Sequence, residues 1–165
     1  MKTFKSFMLA STIGFIASSV FAASSYAGES TQIKYPQGYQ GWFHVKSMLI
    51  EPGHPLETPF QGIHHIYVNE KAKKGLETGK YENGAVFVFD LLSYIEADKT
   101  IQESNRKLIG VMEMNHTKFN KTGGWGFEGF EGNSRTKRLV TDGGQSCFAC
   151  HLSQKKNGFV FTQLR

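Results

Sequence analysis

The stretch Cys147-Phe148-Ala149-Cys150-His151 constrains this chain more than any other. Two thiols three residues apart, with an imidazole directly after the second, have the spacing at which haem vinyl groups become thioether bonds while the histidine ligates the iron. These are the only two cysteines in the chain, so neither has another thiol to pair with. A thioredoxin-like redox pair needs a strand before the motif and a βαβ context. The turn Asp142-Gly143-Gly144-Gln145-Ser146 and the short tail do not supply them. A zinc site needs two further ligands at regular spacing, and His44, His54, His64, His65 and His116 show none. The motif therefore predicts one covalently attached haem c, anchored by Cys147 and Cys150, with His151 on the iron.

The N-terminus supports a compartment in which such chemistry is done. Lys2 and Lys5 precede an apolar run from Phe7 to Phe21, and small residues follow through Ala27. That is the order of a secretory signal peptide. It is expected over residues 1–27, with cleavage after Ala27 in preference to Ala22, and it predicts a periplasmic protein. A membrane anchor fits less well, because the run falls short of the ~20 residues of a spanning helix and contains Ser11, Thr12 and Gly14. No later stretch is long and apolar enough to span. The remaining residues, 28–165, suit one domain with a single core. Losing Lys2 and Lys5 takes the formal net charge from +5 to +3, and two haem propionates would bring it close to neutral. The basic balance is thus poor grounds for a nucleic-acid partner. Fourteen phenylalanines and six tyrosines give such a domain bulky side chains with which to wrap a large apolar macrocycle.

Read in order, residues 28–40 form a lead-in ending in a turn at Tyr35-Pro36-Gln37-Gly38-Tyr39. Strands are expected over 42–50, 60–68, 85–92 and 107–115, from β-branched and aromatic content and partial alternation. On the second, His64 and His65 must point to opposite faces. The simplest expectation is one partly exposed histidine and one satisfied by a hydrogen bond, with neither on the iron. Asn69 to Gly79 has a capping residue, charged helix formers and a terminal glycine, the signature of a short helix. Its lysines read as a solvated face or a docking patch for an acidic redox partner. The run 85–92 sends Val86 and Val88 to one face and Phe87, Phe89 and Leu91 to the other. Residues 93–106 are polar and read as a surface hairpin loop. Met112 and Met114, on the same side of their strand, read as core filler before they read as sulfur ligands. From Thr122 to Gly132 glycine alternates with bulky residues, which asks for a surface approaching the backbone closely, a haem or a second protomer, unless the chain simply bends there. Arg135 and Arg138, in a basic run ahead of the motif, are candidates to pair with a propionate or reach the proximal side. Gly158-Phe159-Val160-Phe161 reads as a last strand closing the sheet.

A single haem motif at the C-terminal end of a strand-rich chain is unlike helical electron-transfer cytochromes c. The arrangement resembles the cytochrome P-460 family, which includes the cytochromes c-prime-beta. The resemblance is carried by Tyr35-Pro36-x-Gly38-Tyr39, Ile66-Tyr67-Val68, Thr78-Gly79-Lys80, Asp90-Leu91, Gly124-Trp125-Gly126-Phe127 and Cys147-x-x-Cys150-His151, in this order. It implies a mainly β, α+β fold: an antiparallel sheet with a few short helices, a homodimer, His151 as proximal ligand and an open sixth position. Members that oxidise hydroxylamine carry a strand lysine bonded to the haem edge. Here Phe89 falls at that place, and no lysine lies within the run 85–92. The c-prime-beta members cap the iron with two phenylalanines, and Phe60 and Phe89 fall where those would be.

The leading expectation is a five-coordinate cytochrome whose apolar distal side favours nitric oxide and carbon monoxide over ligands that depend on hydrogen-bond donors. Its role would be to buffer, detoxify or sense nitric oxide, as a gas-binding protein more than as an enzyme. One rival is a hydroxylamine- or nitric oxide-oxidising enzyme with cross-linked haem. For it Lys80 and Lys107 are the nearest lysines, both read as flanking strands. The other is a low-spin electron carrier with His64, His65, Met112 or Met114 as sixth ligand.

Overall fold

Alternation along the most β-like runs becomes a sheet in which each strand runs antiparallel to the one before it. The computed structural model describes residues 32–164, so the expected signal peptide lies outside the described residues. Five strands, β1 (Phe43–Ile50), β2 (Gly62–Val68), β3 (Val86–Ala97), β4 (Thr100–Met114) and β5 (Trp125–Glu131), form one antiparallel sheet in sequence order. Short helices interrupt the meander: α1 (Glu57–Phe60), α2 (Glu70–Thr78) and α3 (Gln145–His151). The fold is mainly β, as expected.

Both faces of the sheet are covered, and the alternation decides what covers each. One face carries Val68, Phe87, Met112, Met114, Trp125 and Phe127, with Ala72 of α2 and Val160 of the tail packed onto it. The other carries Val88, Ile109, Val111 and Phe130, covered by Ile33 and Tyr39 of the lead-in. Beneath Tyr39 lies a paired polar group. Asp90, 3% exposed, accepts from the Tyr39 hydroxyl at 2.6 Å and from Arg106 Nε and Nη2 at 2.6 and 3.1 Å. Burial, reinforced by the bond to Asp90, pushes the Tyr39 phenol far above its ordinary range.

The helix expected after the second strand is present with both caps. The Asn69 side chain accepts from Ala72 N and also from Val86 N, tying the start of α2 to the start of β3. Gly79 closes the helix in the left-handed region at φ 72°, where glycine carries no Cβ penalty.

Three expectations are corrected. Residues 93–106 are not a loop but the outer arm of a long hairpin, turning on Asp98 and Lys99 at φ 49° and 61°. Left-handed values at both central residues are what a two-residue hairpin turn needs. The arm runs past its neighbours, since β2 pairs β3 only as far as Leu92 and β5 pairs β4 only from Leu108. Neither face of the arm is covered there, and Ile95 and Ile101 stand about half exposed, so no apolar alternation marked it. Phe60 does not begin a strand but ends α1. Residues 158–161 do not join the sheet: Gly158 and Phe159 both take left-handed φ values, 65° and 68°, which no strand tolerates.

The glycine alternation in β5 also has a local cause. A Cβ on Gly126 would lie 2.4 Å from the Phe119 ring, and one on Gly129 3.2 Å from Leu139. The surfaces that approach β5 closely there are the chain's own side chains.

Candidate functional site

Helix α3 brings the two thiols and the imidazole together. Its start is fixed by Asp142, whose carboxylate accepts from Gly144 N at 2.9 Å and Ser146 N at 2.8 Å. Hydrogen bonding with Ser146, first from its side chain and then from its backbone N–H, holds the Asp142 carboxyl below its usual range. Gly144 takes φ 85°, and a Cβ there would press within 3.1 Å of Phe127, so glycine lets the helix seat directly on β5. Positions three and four apart are neighbours on a helical face, about 5–6 Å between Cβ atoms. Cys147, Cys150 and His151 have that spacing, and both thiols are free.

His151 is held in one orientation from the tail. Its Nδ1 lies 2.7 Å from the Phe159 carbonyl oxygen, which can only accept, so Nδ1 carries the proton and Nε2 keeps its lone pair. That tautomer is the one able to ligate a metal through Nε2. Burial lowers the His151 pKa, opposed by the bond to Phe159, which favours the neutral ring. Its walls are Phe127 and Phe161, each with ring centroids 5.0 Å away. The Phe159 backbone adopts the left-handed conformation in aiming its carbonyl, which costs a non-glycine residue about 1–2 kcal/mol. The segment is fixed on either side. Trp125 Nε1 donates to Gly158 O at 2.9 Å, and the Phe159 ring lies where a Cβ on Gly123 would come within 2.7 Å of it.

The register lays out the same face in rows. Val68, Phe87, Met112 and Phe127 form one row, and Ile66, Phe89, Gly110 and Gly129 the next. His64, Leu91, Leu108 and Glu131 form the third. Rows are spaced ~7 Å along the strands, so one row, glycine on β4 and β5 but Ile66 and Phe89 on β2 and β3, separates Phe127, against which His151 packs, from the His64 row. Phe60, at the end of α1, meets Phe89 edge-on with centroids 5.6 Å apart. Beside the motif, Leu139, Leu152 and Phe161 remain more than two-fifths exposed. Paired free thiols, a neutral imidazole with its lone pair kept, and apolar side chains around them fit a haem.

The family model of cytochrome P460 matches residues 36–162. This chain belongs to the cytochrome P460 family. It is accordingly a haem-binding cytochrome. A search of curated proteins finds no match.

Within this cytochrome P460-family domain the other candidates separate. Arg135 lies over the Tyr35 ring at 5.7 Å, and Arg138 donates to Glu128 at 2.6 Å and lies over Phe130. Both are engaged with residues of the face opposite α3, and are not brought together with Cys147, Cys150 and His151. Met112 and Met114 are buried among Trp125 and Phe127 as core. His65 lies on the opposite face, between Ser47 Oγ at 2.6 Å and Glu103 Oε1 at 2.6 Å. His64 departs from the expectation for the pair: it is 5% exposed, and its Nδ1 has no hydrogen-bond partner. Lys107 does not flank a strand but sits inside β4, at a register shift between Leu91 and Leu92 of its partner. Its ammonium donates to Gln61 O at 2.6 Å, next to Phe60. Lys80 follows the Gly79 cap of α2.

Sequence reasoning missed Phe159, whose role is carried by its carbonyl and not its side chain, and Trp125 as the anchor of that tail. The signal for Phe159 was weak: a glycine eight residues after Cys150 marks a turn, but not where the next carbonyl points.

Proposed function

We propose that this protein is an exported, periplasmic mono-haem c-type cytochrome that binds nitric oxide and carbon monoxide on a phenylalanine-capped iron face. In this reading Cys147 and Cys150 form the thioethers and His151 is the proximal ligand. The haem supplies an iron able to take a diatomic ligand. The protein's part is to orient His151 through Phe159, exclude water, and wall the other side with Phe60 and Phe89.

The observation that carries the reading is the Phe60–Phe89 pair, 5.6 Å apart edge to face, on the same sheet face as α3. Two phenyl groups give no hydrogen bond to a bound ligand and no acid or base for deprotonating hydroxylamine. This favours the c-prime-beta branch and a role in buffering, detoxifying or sensing nitric oxide. A homodimer and a redox partner protein belong to the same proposal, both by family resemblance.

The test is the absorption spectrum of the ferrous protein before and after nitric oxide. A five-coordinate, high-spin spectrum that changes on adding the gas is the expected result. A low-spin spectrum without added ligand would favour the electron carrier and sink the proposal. The hydroxylamine-oxidising reading draws on one observation, the Lys107 ammonium bonded to the carbonyl of Gln61, one residue after Phe60. It requires a lysine-to-haem bond, which intact mass and peptide mapping would detect.

A further inference from the structure

Among the described residues, one buried side-chain polar atom has no hydrogen-bond partner, Nδ1 of His64. Buried polar groups in folded proteins are nearly always paired, and an unpaired one is kept at a cost. The neighbours across the strands explain why the fold offers nothing: His64 sits opposite Leu91 on β3 and Met48 on β1. Elsewhere among the described residues buried side-chain polar groups are paired, as at Asp90.

The surroundings say what the unpaired atom is for. The His64 ring stacks on Phe89, with centroids 4.5 Å apart and planes inclined by 30°, and Phe89 in turn meets Phe60. In a stack this close to parallel, an in-plane N–H points past the rim of the phenyl ring and not into it. Burial, and then the nearby His65 and Lys46, lower the His64 pKa to about 4. The ring is therefore neutral at physiological pH, with one N–H and one lone pair to offer.

We propose that His64 is a specificity-determining residue of the ligand pocket, donating a hydrogen bond from Nδ1–H past the edge of Phe89 to the outer atom of an iron-bound diatomic ligand. The proposal rests on the reading of Phe60 and Phe89 as the distal wall and amends it in one respect: the two rings themselves donate nothing, and the donor stands behind them. The wall is two-layered: the phenyl groups slow entry, and the imidazole behind them slows departure.

The experiment compares the carbon monoxide complex of the intact ferrous holoprotein in wild type, His64→Leu and His64→Asn. Infrared spectroscopy reads the C–O stretch, and stopped flow reads association and dissociation. In His64→Leu the stretch should move to higher wavenumber and dissociation should speed up about five-fold, the worth of one ordinary hydrogen bond. Association should be unchanged. His64→Asn, which places an N–H close to the Nδ1 position, should restore both readouts toward wild type. An unchanged stretch and dissociation rate in His64→Leu overturns the proposal. So does reduced haem retention with an unchanged stretch, which would place His64 in the service of the macrocycle's edge. Should His64→Leu fail to fold, deuterium exchange in wild type decides: a donated N–H shifts the C–O band, and an unshifted band overturns the proposal. If wild type is low-spin and His64→Leu makes it high-spin, His64 is itself an iron ligand, and the phenylalanine-cap reading falls as well. A five-coordinate wild type with an unmoved band defeats only the role of His64.

Discussion

The two faces of the sheet treat adjacent residues of β2 in opposite ways. His65 stands on one face between a serine and a glutamate, with both ring nitrogens within 2.6 Å of an oxygen. His64, one residue earlier, is buried on the other face with Nδ1 unpaired. The same division separates Asp90, whose carboxylate is saturated by Tyr39 and Arg106, from the phenylalanine-lined side where His151 and the thiols lie. A face that pairs its polar groups holds the fold together. A face that leaves one unpaired, among aromatic rings, is where we place the bound ligand.

The largest test of this contrast is Asp90→Ala. Removing the carboxylate strands the Arg106 guanidinium and the Tyr39 hydroxyl, and breaking a buried ion pair from one side costs about 3–5 kcal/mol. Chemical denaturation of the holoprotein should show that loss, while the carbon monoxide spectrum of the folded fraction stays as in wild type. A changed spectrum would mean that the two faces are not functionally separate.

Next in size is Gly123→Ala on the ligand side. Gly123 has φ 65°, and a Cβ there would come within 2.7 Å of the Phe159 ring. Strain and collision together should cost about 2 kcal/mol. The iron–histidine stretch in resonance Raman should also shift, because Phe159 carries the carbonyl that orients His151. Lost stability with an unmoved stretch would separate the tail's packing from its hold on the ligand.

The dependence on pH comes third. His64 has a folded pKa of about 4 against an ordinary 6.5, so between these values the unfolded chain binds the proton more readily. Its contribution is fully present above pH 6.5 and is lost as pH falls toward 4. His65 and Lys46 act on it in the same direction as burial. Denaturation midpoints of His64→Leu should accordingly fall less steeply than wild type over that window, and an identical slope would refute the assignment. Smallest is Glu103→Gln, which weakens an exposed partner of His65. Such a pair contributes ~0.2–1 kcal/mol, and a larger loss would show that this side is less tolerant than its exposure implies.

Residues whose periodicity follows from burial on both faces were legible in the sequence. Val86 to Leu91 displayed their two faces directly, and α2 announced itself through Asn69 and Gly79. The outer hairpin arm was not legible, because hydrophobic alternation reports what a strand is packed against, and Tyr94 to Glu103 are packed against little. Gly158 to Phe161 had the composition of a strand but the backbone of a clamp. Composition says little about φ at a phenylalanine, since it is chiefly glycine and proline that mark unusual or fixed values. The motif Cys147 to His151 could be read from spacing, since i, i+3 and i+4 converge on any helix. That His64 and His65 diverge was equally readable, but which of them would be left unpaired depended on Leu91 and Met48 across the strands.

The hold on His151 comes from residues later in the chain than the motif itself. Helix α3, which aligns the two thiols, is complete at His151, whereas the imidazole acquires its fixed tautomer only when residues 158–160 have docked on Trp125 and Gly123. On the haem attachment proposed above, tethering and ligand alignment are separable stages of maturation. A chain cut after Asn157 would then keep the first and lose the second: coloured, but with its iron ligand free to swivel.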